Sequence, residues 1–355
     1  MIVFLTGITG LVGSQAAVEL LRAGHRVIAL ARPVAGGPDA GRRRVLRILE
    51  AHPGAADAPA HSNVLTLEGD LREPFCGLRE SRGLFAGQVD AAVHCAAMLS
   101  FDDSKRAALF ETNVGGAANV AGVAGLWGCR RFVFVSTAFV DRALNGGIAR
   151  TAYEESKLEA ERALAQSAER MNMDLFVVRP SVVTGDRVHG FTPNFKGVYP
   201  FLRFMAQQSD VLRRIPCYPG GITPETLVNL LPADDVAGII RAVLDGAAGA
   251  DRTFNLVNPH SWKAADLARA TAGLMGVDER EIEQRPPGGE LPSALAQSLQ
   301  ALVREYAGYL GAVPELDTGP ADALRARAGL ARPDGDPEWI RAVLRWGIRR
   351  KWEDL

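Results

Sequence analysis

Thr6-Gly7-Ile8-Thr9-Gly10-Leu11-Val12-Gly13 is the stretch on which the reading of this chain turns. It follows an apolar run, Ile2–Leu5, and opens into Gly13–Arg22, where Ala16, Val18, Leu20 and Leu21 supply apolar surface and Gly24 provides a helix stop. A strand that turns through glycines into a helix aims free N–H groups and the positive end of the helix dipole at the turn. Gly7 permits the tight turn, Gly10 lets the backbone approach a pyrophosphate, and Gly13 lets helix and strand pack closely. The spacing predicts a dinucleotide cradle formed by Thr6, Gly7, Thr9, Gly10, Leu11, Val12 and Gly13.

Outward from this turn, apolar strands alternate with helices. Arg26–Ala31, Asn63–Leu67, Asp90–His94, Arg131–Ser136 and Asp174–Arg179 read as strands; Ser104–Leu126 and Ala152–Met171 read as long helices. Residues 33–62 read as loop, except a short basic helix over Arg42–Glu50. The alternation predicts an α/β chain with a doubly wound parallel (Rossmann) sheet and a smaller C-terminal substrate domain. Residues 1–185 form the nucleotide-binding domain, and 233–257 return to it as a helix (Ala233–Leu244) and a strand (Thr253–Val257). Residues 186–232 and 258–355 form the cap over the carboxyl edge of the sheet, with helices over Lys263–Met275, Ala294–Tyr309 and Glu338–Lys351 and a break at 286–292. Phe191, Phe195, Tyr199, Phe201, Phe204 and Tyr218 read as the core of this cap, with the lining of an acyl pocket as the alternative.

Lys and Arg number 40 against 41 Asp and Glu, which leaves no basic excess for nucleic acid. The four cysteines, Cys76, Cys95, Cys129 and Cys217, form no CxxC pair, so they read as free thiols and not as a zinc or redox site. Met1–Leu5 reads as a strand and not as a targeting signal, and no apolar run reaches the ~20 residues of a membrane span. A cytoplasmic protein is expected.

The second strand ends Ala29-Leu30-Ala31-Arg32, without the acid that bonds an NAD ribose. Arg32 instead suits a 2′-phosphate, so NADP(H) is expected, and one of Arg42, Arg43 and Arg44 is a candidate helper while the rest form a solvated helix face. Tyr153 and Lys157 stand four apart on a predicted helix and therefore share a face. A Lys⁺ beside a phenol lowers its pKa from about 10 and makes it an acid or base nearer neutrality.

With these come Gly69-Asp70-Leu71, Val93-His94-Cys95-Ala96-Ala97, Asn113-Val114, Ser136-Thr137 and Arg179-Pro180-Ser181, in that order. The set resembles the extended short-chain dehydrogenase/reductase family over residues 1–185. The resemblance implies an oxidoreductase in which Thr137 bonds the substrate carbonyl, with Ser136 as the neighbouring alternative. It implies that Tyr153 donates the proton, that Lys157 binds the nicotinamide ribose and tunes Tyr153, and that Asp70, with the Leu71 backbone beside it, receives the adenine amino group. Ala96, Ala97 and Pro180 would border the cofactor, whereas Asn113 and His94 would be structural.

Residues 93–103 (VHCAAMLSFDD), 135–141 (VSTAFVD), 153–164 (YEESKLEAERAL) and 177–186 (VVRPSVVTGD) are similar to the thioester reductase and fatty acyl-CoA reductase branch, as are 305–310 and 314–318. This implies reduction of an acyl thioester, on CoA or on a separate acyl carrier protein, to an aldehyde or alcohol. The connection 141–152 (DRALNGGIARTA) departs from that branch in being short and free of bulky groups. The alternatives are reduction of a free ketone or aldehyde, as in steroid or dihydroflavonol reductases, then nucleotide-sugar epimerisation or dehydration, and last a non-catalytic NADP(H)-binding protein.

Overall fold

The computed structural model describes residues 1–35, 37, 39–55, 60–147, 149, 151–207, 223, 225–276, 297, 311 and 313–355. In chain order the strands are β1 (Ile2–Thr6), β2 (Arg26–Ala31), β3 (Val64–Glu68), β4 (Ala91–His94), β5 (Arg131–Val135), β6 (Asp174–Pro180), β7 (Val182–Thr184), β8 (Leu227–Val228), β9 (Leu230–Pro232), β10 (Thr253–Leu256) and β11 (Trp262–Lys263). Seven of them form one sheet in the order β10-β6-β5-β4-β1-β2-β3, and every pairing in it is parallel. The chain leaves β1 toward β2 and β3, then crosses back to β4 on β1's other side. That reversal opens a crevice between the carboxyl ends of β1 and β4.

Side-chain alternation along each strand splits the core into two layers. Val3 and Leu5 of β1, with Val133 and Val135 of β5, face one layer, covered by helices Leu11–Arg22 and Ala233–Leu244. Phe4, Phe132 and Phe134 face the other, covered by Gly116–Trp127 and Ala152–Met171. A third apolar cluster lies apart from the sheet. It joins helices Tyr199–Gln207, Ala264–Leu274 and Pro337–Arg349 to β8, β9 and β11.

The structure breaks one expected long helix and adds helices that the sequence reading did not assign. The expected single helix over Ser104–Leu126 is broken by a π-turn at Glu111–Gly115. That turn rotates Asn113 inward, where Oδ1 accepts from the Met98 N–H (2.7 Å) and Nδ2 donates to the Met98 carbonyl (3.0 Å) and Ser156 Oγ (2.9 Å). Helix Tyr199–Gln207 stands in the stretch 186–232, for which the sequence reading assigned no element. Helix Gly319–Ala328 has a weak apolar stripe, and its buried Arg325 is paired with Asp235 (2.6 and 2.9 Å). Of the expected helix over 294–309 only residue 297 is described; 286–292, 305–310, Cys217 and Tyr218 also lie outside the described residues. No helix among the described residues is long and apolar enough to cross a membrane.

A Cβ added at Gly13 would sit 2.1 Å from the Gly7 carbonyl oxygen, and only backbone surrounds it. Gly13→Ala should therefore destabilise the fold by about 1–3 kcal/mol. A lower denaturant midpoint in urea unfolding is the expected result, and an unchanged midpoint would contradict the packing described.

Candidate active site

The crevice is built first from backbone. Gly7 has φ +79°, and a Cβ there would lie 2.6 Å from the Ala96 nitrogen. The Gly10 N–H donates to the Gly7 carbonyl (2.8 Å), which closes the turn. A Cβ at Gly7 or Gly13 would strike backbone, so only glycine allows this tight strand-to-helix turn, whose form suits a group that needs close backbone approach, such as a pyrophosphate. Thr6 Oγ1 and His94 Nδ1 are 2.6 Å apart, which ties the two strand ends together and turns the Thr6 hydroxyl inward. Burial pulls His94 down to about 3, so this ring is neutral at physiological pH.

The carboxyl end of β5 and the helix Ala152–Met171 bring Ser136, Thr137, Tyr153 and Lys157 to one cavity wall. Thr151 caps that helix through Glu154 N–H to Oγ1 (3.3 Å). Lys157 is 2 % exposed, donates to the Val135 carbonyl (2.7 Å), and holds its ammonium 4.1 Å from the centre of the Phe134 ring. Burial drives it down to about 7; Glu161 and then Cys95 oppose the shift. Tyr153 is half-buried and meets Phe101 edge-on, 6.1 Å between ring centres. The expectation that Lys157 lowers this phenol is not met. Burial, and after it the Glu154 charge, push Tyr153 above its ordinary range, while the Lys157 charge is itself disfavoured. The phenol thus keeps its proton at neutral pH and is a donor.

The two adjacent hydroxyls differ in what they have left to give. Ser136 donates to Glu161 Oε1 (2.5 Å), so its hydrogen is committed. Thr137 Oγ1 accepts from the Phe139 N–H (3.3 Å), and among the described residues no acceptor takes its hydrogen. Thr137 is therefore the hydroxyl able to donate into the cavity.

The cavity measures about 320 Å³. It runs from Gly7, Gly10, Leu11, Val12 and Gly13, past Ala97, Pro180 and Lys157, to an apolar wall of Leu99, Phe101, Phe139, Val198, Phe201 and Val228. Its described lining holds no Asp, Glu or Arg; the charged groups are Lys157 and Lys196. Tyr199 and Phe201 serve both readings of the cap aromatics, since both are buried in the third cluster and both line the cavity. The sequence reading passed over the Ser181 side chain. It lines the cavity at 5 % exposure, and its hydroxyl has no partner among the described residues. Its place directly after the strand-ending Pro180 was the signal.

Thr6, Thr9, Arg32, Asp70, Leu71 and Ala96 are not on this wall. Arg32 follows β2 and is exposed. Asp70, expected to face an adenine, has both oxygens on Arg72 (3.1 and 2.7 Å), which pulls its carboxyl down to about 2, with Arg32 adding a small share. The Leu71 carbonyl accepts from Asn119 Nδ2 (2.8 Å). Arg42 and Arg43 are exposed and Arg44 half-buried, on helix Ala40–Ala51. Cys76, Cys95 and Cys129 are free thiols, and no metal-holding cluster occurs among the described residues.

A family model described as "Male sterility protein" matches residues 5–240. A hybrid PKS-NRPS synthetase, mycA, of Thermothelomyces thermophilus is 27% identical over 369 residues, covering 90% of this chain but 8% of that protein. A UDP-glucose 4-epimerase of Vibrio cholerae is 28% identical over 194 residues, covering 51% of this chain and 55% of the epimerase. The terminal R domain from the myxalamid PKS-NRPS biosynthetic pathway superposes with a TM-score of 0.75 at 20% identity, covering 98% of this chain and 90% of that one, which is a likeness of fold.

Lys157 has a pH signature independent of turnover. Its native pKa, about 7, lies below its ordinary 10.5, so above pH 7 the folded protein releases this proton while the unfolded chain still holds it. Stability then rises with pH across that window. Urea unfolding from pH 7 to 10 should show this rise in the wild type and lose it in Lys157→Met; equal slopes in both would be the contrary result.

Proposed function

The chain belongs to the male sterility protein family, within the extended short-chain dehydrogenases/reductases, and on that premise we propose that it is an NADPH-dependent reductase of an apolar acyl thioester. The thioester would be carried by CoA or by a separate acyl carrier protein in the cytoplasm, and the product would be an aldehyde or its alcohol. One observation carries the reading: a single cavity joins the glycine cradle, two hydroxyl donors and an apolar wall without carboxylates among its described residues. A nucleotide sugar would present phosphates and hydroxyls to that wall with few polar groups to receive them. Similarity over 90% of the chain to part of a PKS-NRPS synthetase supports the same choice.

The cradle, Arg32 and Lys157 suit a dinucleotide: the first for its pyrophosphate, Arg32 for a 2′-phosphate, and Lys157 for the nicotinamide ribose. When bound, the nicotinamide supplies hydride to the thioester carbonyl carbon. The chain's own part is electrostatic. Thr137 and Tyr153 donate hydrogen bonds to the oxygen as it gains negative charge. A phenol raised by burial remains protonated for that task. As the carbonyl re-forms, the C–S bond breaks, the thiolate leaves and takes up a proton, and an aldehyde remains. The apolar wall holds the acyl chain and excludes water from the reacting carbon.

NADPH oxidation with a panel of acyl-CoA thioesters, aldehydes and ketones tests this directly. Thiol release matched to NADPH consumption is expected; activity confined to ketones would instead select a carbonyl reductase. Tyr153→Phe should lower turnover by ~10²-fold or more with NADPH affinity nearly intact. Arg32→Asp should shift coenzyme preference toward NADH, and an unchanged preference would remove Arg32 from the phosphate site.

A further inference from the structure

Behind the cavity wall lies a buried ion pair that the proposed reaction does not touch. Glu161 sits one helical turn beyond Lys157 and is 7 % exposed. Its carboxylate receives Arg179 in a fork, Nε to Oε1 (3.0 Å) and Nη2 to Oε2 (2.5 Å), and Ser136 Oγ on Oε1 (2.5 Å). The third arm of Arg179 reaches Asn255 Oδ1 (3.5 Å), and Asn255 Nδ2 donates to the Asp317 carbonyl (2.7 Å). β5, β6, β10 and the segment before helix Gly319–Ala328 thus all brace one carboxylate. On the other side of Ser136, the Val135 carbonyl takes Lys157 Nζ (2.7 Å).

We infer that Glu161, fixed by Arg179 and Ser136, is a positioning residue that keeps Lys157 charged in its buried setting. The inference rests on Lys157 being the cation of the proposed site. Around Lys157 stand Glu161 and Tyr153 on its own helix, His94 and Cys95 at the end of β4, the Val135 carbonyl and the Phe134 ring on β5, and Arg179 on β6 behind Glu161. Glu154 is also buried on this helix and acts on Tyr153, whereas Glu161 has the largest electrostatic influence opposing the burial of Lys157. Without Glu161, Lys157 would keep a neutral His94 ring beside it and the uncompensated Arg179 guanidinium behind, with Cys95 alone left to oppose the effect of burial. Arg179 has the complementary task. It orients the carboxylate through two parallel hydrogen bonds, and its planar fork allows one geometry.

The chain contains five lysines, Lys105, Lys157, Lys196, Lys263 and Lys351, so ¹³C/¹⁵N-lysine NMR resolves each titration in the whole protein. Glu161→Gln should lower the Lys157 midpoint by about one pH unit or more. Glu161→Asp should recover most of that shift, and Ser136→Ala, which removes a hydrogen bond but no charge, should move it little. Because Glu161→Gln strands Arg179 and could impair folding, Glu161→Gln/Arg179→Met provides a charge-free core and should also titrate below wild type. A wild-type Lys157 midpoint in either Gln variant would overturn the inference. The alkaline limb of reductase activity should move with the midpoint in the same variants. The titration needs no substrate, so it can fail or succeed separately from the proposed reaction.

Discussion

A contact of backbone against backbone governs this molecule. The turn after β1 lies so close to the chain leaving β4 that a methyl group at Gly7 would strike the Ala96 nitrogen at 2.6 Å. The Thr6–His94 bond locks the two strand ends at that separation. With them locked, β5 falls next to β4, and its end presents Val135, Ser136 and Thr137 to the same crevice. The helix carrying Tyr153 and Lys157 is then seated by Asn113, which grips both Met98 and Ser156. Main-chain packing and a few buried side-chain hydrogen bonds thus set where these elements meet.

Most of the fold was legible because its signals are local. The strands that build the parallel sheet are short apolar runs, and the glycine spacing marks the first crossover without help from distant residues. The π-turn was not legible, because an extra residue in a helix leaves no mark on an Ala-rich pattern; only the needs of Met98 and Ser156 select it. Helix Gly319–Ala328 escaped for a related reason. Arg325 sits on its inward face, where pattern reading looks for an apolar group, and Asp235, ninety positions earlier, makes that burial tolerable.

The residues gathered at the cavity were legible as a set, but their protonation was not. From spacing alone, Lys157 beside Tyr153 suggests an acidified phenol. The folded protein does the reverse, because both groups are removed from water and each neutral form gains. Likewise, neighbouring Ser136 and Thr137 read as interchangeable, and only the acceptor behind Ser136 separates them. Charge and hydrogen-bond accounting depends on three-dimensional neighbours, which is where a one-dimensional reading stops.

The third apolar cluster shares none of its buried side chains with the two layers that sandwich the sheet, yet Tyr199, Phe201 and Val228 from it reach the cavity wall. Two cores thus meet at one cavity, and Leu11 of the glycine turn packs against the third cluster. Exchanges at Tyr199, Phe201 or Val228 would reshape that cavity from the side of the third cluster, leaving the two layers that hold the sheet untouched. The cavity's shape can therefore drift through one packing unit without unmaking the other.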